Sequence, residues 1–581
     1  MTPSLPAAVR KRNLWLSAFV ALTGLSLVTL FMFVNRFAYL SQKPYLLLAV
    51  AVAAVIGAYL SWDPTRAAFT TVKSLKSGGE PSEAGGVPPQ MLGDPRLAQL
   101  ANGNPQVMRL LLVVASVSDK LLPVMDGIKV NSDGELTDYK FHSTSVGLLG
   151  QKGLQNQLYD ALRANIAGEG WDIRFHPKTD ELVATRGNEI PKLALPSMWP
   201  VTQTKEAAKT AYNKWELVLG EGVNGPVTIN PQVFPHLVAV ATSGGGKSVF
   251  LRTCAEQFRA IGAQLIFGDG KGSDYAAYNG LPNVIAMGRG SGARGMEYAA
   301  AIEMAYRIMQ DRQDKAADRK LKDPDGWKNQ PPVFVILDEM KAVMKKWKSD
   351  LKTDEFKQIE SRMNQVLALG RELRVHVCFA VQDVYAESIP RPWLTNVGMK
   401  VSLGKPNNMT INQAFSGDIE TDARRVADRI NPKIRGRGMI AGVDEDSGIA
   451  QVVEYQGFLS YAPGESIANA PTPEAQQNMS LFKSQVTDAI PRLYSRRWFR
   501  IEEKSEAQVK LENKQGDLGY IDFEMFTTSE LAALQIVNLD MRDENGNIVP
   551  NPEMVPFDPD PNNPHYVCRR VLTESNSIED I

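Results

Sequence analysis

The stretch His236–Arg252, "HLVAVATSGGGKSVFLR", runs from an apolar strand through a glycine cluster into a helix, and its reading decides the fold. "ATSGGGKS", Ala241 to Ser248, fits the phosphate-loop pattern G-x-x-x-x-G-K-[ST] except that Ala241 stands where the leading glycine is usual. Gly244, Gly245 and Gly246 let backbone N–H groups approach phosphates with no Cβ in the way, at the positive end of the following helix. The loop Ala241, Thr242, Ser243, Gly244, Gly245, Gly246 would cradle a nucleotide, Lys247 would reach its β- and γ-phosphates, and Ser248 would ligate Mg2+. A second element supports this. "VFVILDEM", Val333 to Met340, is an apolar strand ending in two acids, with Asp338 placed for the Mg2+ shell and Glu339 for orienting or deprotonating water. "VHVCFAVQD" ends a third apolar strand on Gln382, a position able to sense a terminal phosphate, and "GRELRV" before it supplies Arg371 and Arg374.

Outward from these motifs, "HLVAVA", "AQLIFGD", "VFVILDE", "VHVCFAV" and "GMKVSL" are apolar throughout and separated by helical stretches, which predicts a parallel sheet buried on both faces over residues 201–465. Residues 106–200 mix β-like runs ("RLLLVVASV", "WDIRF", "ELVATR") with the helix-like "GLQNQLYDALRANIA", a small α/β domain. Residues 63–105, rich in Gly, Pro and Ser toward their end, read as a linker, and 466–581 as a partly extended or disordered C-terminal extension. The N-terminal residues 1–62 carry two apolar spans, about 14–34 and 45–62, each long enough to cross a bilayer as a helix. With a nucleotide-using body that needs the cytosol, they predict a transmembrane hairpin in the cell membrane with both ends inside.

The 581 residues leave room for several domains, and a formal net charge of -1 excludes a general basic coat, so any nucleic-acid surface is local. The three cysteines, Cys254, Cys378 and Cys568, fit neither a disulfide framework nor a zinc site. One local basic run is present. "MKAVMKKWKSDLK" after Glu339 sets Lys341, Lys345, Lys346, Lys348 and Lys352 against Asp350, either as a solvated helix face or as a DNA-facing loop.

These residues together resemble the motor domain of FtsK/SpoIIIE-type DNA translocases, over roughly Leu121 to Gly442. "GPVTINPQVFPHLVAVATSGGGKSVFLR" is similar to that family's Pro-His-Leu strand and phosphate loop. "LIFGDGKGSDYAAYNGLPNV" resembles its Asp-Pro-Lys segment, with Asp269 and Lys271 kept and Gly270 in place of proline, and "RELRVHVCFAVQD" its arginine and sensor strand, with Val381 in place of threonine. "RFHPKTDELVATRGNEIPK" is similar to the close of the small domain that precedes the motor. The resemblance implies a RecA-like P-loop ATPase that assembles as a ring, usually a hexamer, and threads double-stranded DNA. It makes Arg371 the arginine that reaches the next subunit's γ-phosphate, and it places Lys345, Lys346 and Lys348 on pore DNA. Two spans, a short linker and no C-terminal winged helix look more like the TcpA-type conjugative coupling proteins, whose partners would be a secretion channel or relaxosome. A chromosome-segregating translocase and a type VII-like protein secretion ATPase are the alternatives.

Overall fold

The computed structural model describes residues 89–166, 170–241, 244–324, 326, 328–382, 384, 389–443, 450–500, 524 and 526–551. The expected spans 14–34 and 45–62 and most of the linker lie outside the described residues. No helix among the described residues is long and apolar enough to cross a membrane.

The chain divides into two compact units. In the first, helices α1 (Pro95–Gly103) and α2 (Pro105–Val117) are followed by strand β1 (Leu121–Pro123). This corrects two expectations. The apolar run "RLLLVVASV" is helical because Asn104 caps it, its Oδ1 accepting from Gln106 N at 2.9 Å and Val107 N at 3.2 Å, with Pro105 in the first turn. Asp94 starts α1 in the same way, accepting from Arg96 N at 2.8 Å, so the expected linker is helical at its end.

The second unit opens with β2 (Lys129–Val130) and β3 (Leu136–Ser143), helix α3 (Lys152–Asn165), and the antiparallel pair β4 (Trp171–His176) and β5 (Glu181–Arg186). "WDIRF" and "ELVATR" are these last two strands. The remainder is built on a ten-stranded sheet of β6 (Leu217–Gly222), β7 (Gly225–Ile229), β8 (Leu237–Ala241), β9 (Gln264–Asp269), β10 (Val284–Arg289), β11 (Val333–Leu337), β12 (Val375–Val381), β13 (Met399–Leu403), β14 (Arg437–Val443) and β15 (Ala450–Gly457). Its order is β10-β9-β11-β12-β8-β13-β14-β15-β6-β7.

From β10 to β13 every neighbour is parallel. From β13 to β7 every neighbour is antiparallel, so the sheet is mixed rather than parallel throughout. The difference follows from the connections: parallel strands need crossover helices, whereas β6–β7 and β14–β15 join by short links. In the parallel half, alternate residues feed two cores. Val238, Val240, Ile266, Val333, Val335 and Leu337 pack on one face, and Leu237, Ala239, Leu265, Phe267, Phe334 and Ile336 on the other.

Helix α4 (Lys247–Ala260) covers the second face, with Phe258 stacked on Phe334 at 3.7 Å between ring centroids. On the first face lie α5 (Met296–Asp314), α6 (Met340–Asp350) and α7 (Thr353–Leu369). Helix α8 (Glu420–Arg429) leads into β14.

The C-terminal extension is largely ordered where described. Helix α9 (Pro473–Gln485) packs Met479 and Phe482 on Tyr461 and Ala260, and β16 (Arg497–Phe499) pairs with β17 (Ile536–Asn538) across the short helix α10 (Thr528–Ala533). Leu493, Tyr494, Trp498, Phe499, Leu531 and Ile536 belong to the motor's own core, and Arg307 Nη2 donates to Leu531 O at 3.0 Å. Residues beyond 551 lie outside the described residues.

Candidate phosphate and water-activating site

β8 ends at Ala241, and the glycine turn follows with Gly244 at φ 80° and Gly246 at φ 95°, the left-handed region that a side chain would strain. Ala241 itself is a buried strand residue paired with Leu403, so its Cβ carries no penalty at the place where the phosphate-loop pattern has glycine. Thr242 and Ser243 lie outside the described residues. Lys247 opens α4 and is buried, its Nζ 2.8 Å from Asp338 Oδ1 and 3.0 Å from Glu339 Oε1.

Both acids stand where β11 turns into α6. Asp338 Oδ1 also accepts from Glu339 N at 2.7 Å, its Oδ2 from Tyr275 OH at 3.3 Å, and its carbonyl from Tyr298 OH at 3.0 Å. Glu339 sits at φ 52°, ψ 32°, a left-handed conformation that costs a non-glycine residue roughly 1–3 kcal/mol and is found at functional turns. Burial acts to raise its carboxyl pKa, but the Lys247 and Lys271 ammonium groups outweigh that and hold it below the ordinary glutamate range. Gln382 Nε2 reaches within 3.5 Å of Glu339 Oε2.

The loop after β9 adds residues outside the set expected from sequence. Lys271 Nζ lies 3.2 Å from Glu339 Oε1 and 3.1 Å from Asp274 Oδ2, and Ser248 Oγ donates to that same Asp274 oxygen at 3.4 Å. Asp269 folds the loop by accepting from Lys271 N, Gly272 N and Tyr275 N at 3.0 to 3.2 Å, while burial raises its pKa. Gly270 is needed there, since a Cβ would stand 2.7 Å from Glu339 Cβ. The readable signal was position: "GDGKGSD" leaves the strand next to β11 at the same C-terminal edge.

Lys247, Ser248, Asp338, Glu339 and Gln382 therefore come together, and Arg371 does not. Arg371 is exposed before β12 begins at Val375, whereas Gln382 follows that strand's end, so the strand's length of about 20 Å separates them. Arg374 is no site residue either: buried at φ 55°, its guanidinium donates to Lys209 O at 2.8 Å, Gln330 O at 3.1 Å and Asn329 Oδ1 at 2.9 Å.

The lysine run forms helix α6 rather than a loop, burying Met340, Val343, Met344 and Trp347 along one stripe. Lys345 and Lys348 are exposed on the other side. Lys346 instead donates to Gly290 O at 2.8 Å and Gly292 O at 2.5 Å, which ties it to the loop after β10 and away from the pore surface expected of it.

Ser248, Asp338 and Asp274 offer hard oxygen donors, which suits Mg2+. Among the described residues no three His, Cys, Asp or Glu side chains are set to hold a metal alone. An ion here would keep phosphate and water ligands, as Mg2+ characteristically does.

The chain matches the DNA translocase FtsK of Staphylococcus aureus (strain Mu50) at 24% identity over 371 residues, 58% of this chain and 43% of the relative. The similarity supports an FtsK/SpoIIIE-type family. The FtsK of Staphylococcus epidermidis matches at 23% over 368 residues. The matches span less than half the length of these curated relatives, and no family model matches the chain. Among solved structures, the monomer form of the pCW3 conjugation coupling protein TcpA with ATPγS aligns at 16% identity and TM-score 0.38, over 65% of this chain and 100% of that one. The cytoplasmic domain of the Thermomonospora curvata type VII secretion ATPase EccC aligns at 16% and TM-score 0.37, over 51% and 33%.

Proposed function

We propose that the chain is an ATP-hydrolysing DNA translocase, anchored in the cell membrane by its N-terminal spans and acting as a coupling protein that moves double-stranded DNA to a conjugative transfer channel. The observation that carries this reading is the convergence of Lys247, Asp338, Glu339 and Gln382 at the C-terminal edge of one parallel sheet, inside a chain whose 371-residue match is to a DNA translocase.

Without nucleotide, Lys247 neutralises both acids. ATP phosphates are the stronger anionic partner, so binding draws the ammonium onto them and releases Asp338 and Glu339. Glu339, still paired with Lys271, can then orient and deprotonate the attacking water while Gln382 holds its other oxygen. Ser248 and Asp338, with Asp274 beside them, would hold Mg2+, which when bound would supply charge neutralisation at the phosphates. Arg371 is remote from its own chain's acids, and by family analogy it would complete a neighbouring subunit's site in a ring, usually a hexamer. Exposed Lys345 and Lys348 would run along the phosphate backbone of DNA, and channel or relaxosome proteins would be further partners.

The test measures ATP hydrolysis by the full chain in detergent, with and without double-stranded DNA, using Lys247→Ala as the blank. Strong stimulation by DNA that the variant abolishes is expected. Hydrolysis indifferent to DNA would overturn the DNA motor and leave a protein secretion ATPase as the better reading.

A further inference from the structure

The topology brings more than the acids to the phosphate loop. β8 pairs on its other side with β13, and β13 pairs with antiparallel β14, so the chain entering β14 arrives at the same C-terminal edge as the glycine turn. That chain is the turn Asn431–Gly436. Its last residue lies close against the loop: a Cβ on Gly246 would come within 4.0 Å of the Gly436 Cα. Gly436, like Gly246, has a positive φ, here 76°, and a Cβ on it would meet Gln456 Nε2 at 2.9 Å. Two bare backbones therefore face each other across a narrow gap.

The turn is held rigidly from behind. Gln456 Nε2 donates to Arg435 O at 2.8 Å, and Gly457 N donates to Gly436 O at 2.8 Å. Asn431 Oδ1 accepts from Lys433 N at 3.0 Å, and the following Arg437 is buried, donating to Glu454 Oε1 at 3.1 Å and to the carbonyls of Ile190 and Pro191 at 3.0 Å. With the backbone so fixed, Lys433 and Arg435 are exposed. Among the described residues no hydrogen bond or ion pair engages the Arg435 side chain, whereas the backbone of the turn and the Arg437 side chain are matched to partners in the fold.

A phosphate chain lying on Gly244–Lys247 has two ends. The acids, Lys271 and Gln382 stand on the β11 and β12 side of the loop, and the turn stands on the β13 and β14 side. We propose that the turn Asn431–Gly436 forms the second wall of the phosphate loop, and that Arg435 on it binds the sugar-side phosphate of a nucleoside di- or triphosphate. This rests on reading Gly244–Ser248 as a nucleotide site. A guanidinium is the fitting group, being permanently charged and able to offer paired donors to two phosphate oxygens. Because the sugar-side phosphate is common to ATP and ADP, Arg435 sets affinity for both, while discrimination between them stays with the opposite wall.

The experiment is equilibrium binding of fluorescent ATP and ADP analogues to the full chain and its variants. Arg435→Gln is expected to weaken both nucleotides by the same factor, roughly tenfold to hundredfold, with Arg435→Lys recovering part of the loss and no change in the nucleotide-free melting temperature. Unchanged affinity for both nucleotides, or a loss confined to ATP, overturns the assignment. Lys247→Ala separates the two readings. Normal binding by Lys247→Ala would bring down the nucleotide site itself, whereas loss in Lys247→Ala with normal binding in Arg435→Gln would bring down only the second wall.

Discussion

The two edges of the parallel sheet each hold a charged residue in a left-handed backbone conformation, Glu339 at φ 52° and Arg374 at φ 55°, and the two are used in opposite ways. Arg374 is satisfied by fixed groups: the carbonyls of Lys209 and Gln330, Asn329, Asn213, and the face of Tyr212, 5.1 Å from the guanidinium. Nothing there can leave without unfolding the corner. Glu339 is satisfied by the ammonium groups of Lys247 and Lys271, which sit on flexible stems and exchange readily for other anions. A strained residue with replaceable partners is built to change state, and one with backbone partners is built to stay.

The comparison can be broken most severely at Glu339. Glu339→Gln should cost roughly 10²- to 10⁴-fold in turnover while nucleotide affinity persists, read from steady-state hydrolysis beside equilibrium binding. A variant that still turned over normally would remove the functional half of the contrast. At the other edge, Arg374→Ala should lower unfolding stability by about 2–4 kcal/mol in a denaturant titration, because two part-buried carbonyls and two asparagine oxygens lose their donor, yet hydrolysis by the folded fraction should be unchanged.

The same edge carries a pH signature. Burial pushes His236 down to about 4 and His376 well below the ordinary range, with His376 Nε2 2.6 Å from Tyr212 OH and its Nδ1 2.6 Å from Pro235 O. Both histidines are neutral when folded. Their contribution is therefore complete above pH 6.5, the unfolded value, and is lost as pH falls toward 4, at up to about 1.4 kcal/mol per pH unit for each. Melting temperatures followed from pH 7 to 4.5 should decline less steeply in His236→Gln than in the parent. The smallest effect is expected on α6. Removing Lys345 and Lys348 together should flatten the salt dependence of DNA affinity by about 0.9 in log–log slope for each, whereas Lys346→Gln should leave the slope alone and lower the melting temperature.

Much of the functional edge was legible because phosphate chemistry requires particular residues at particular strand ends. "SGGGKS" and "VFVILDE" could be placed on parallel strands from hydrophobic pattern alone, and so could Gln382 after "VHVCFAV". Asp274 and Lys271 were harder to weigh, since only the strand order β9-β11 sets their loop against Glu339. The antiparallel flank was illegible for a different reason: the β14–β15 hairpin is held in the sheet by pairing β15 with β6, far away in sequence, and no local periodicity encodes that pairing. "RLLLVVASV" misled because its β-rich composition was outvoted by the Asn104–Pro105 cap, and Lys346 because an exposed-looking lysine found two carbonyls. The polar C-terminal extension concealed Trp498, Phe499 and Ile536, apolar residues too sparse to announce a fold until they met the motor's core.

The pairing of β15 with β6, Tyr455 opposite Gly222, also has a meaning for synthesis. The hairpin β6–β7 leaves the ribosome long before its partner strand exists, and at typical elongation rates the wait is on the order of tens of seconds. For that interval its inner edge is open to mispairing. Closure of the sheet is thus a late, nearly whole-chain event, so a ribosome that stalls anywhere between Ile229 and Gly457 would release a motor with an uncovered strand, a product for proteases rather than for assembly.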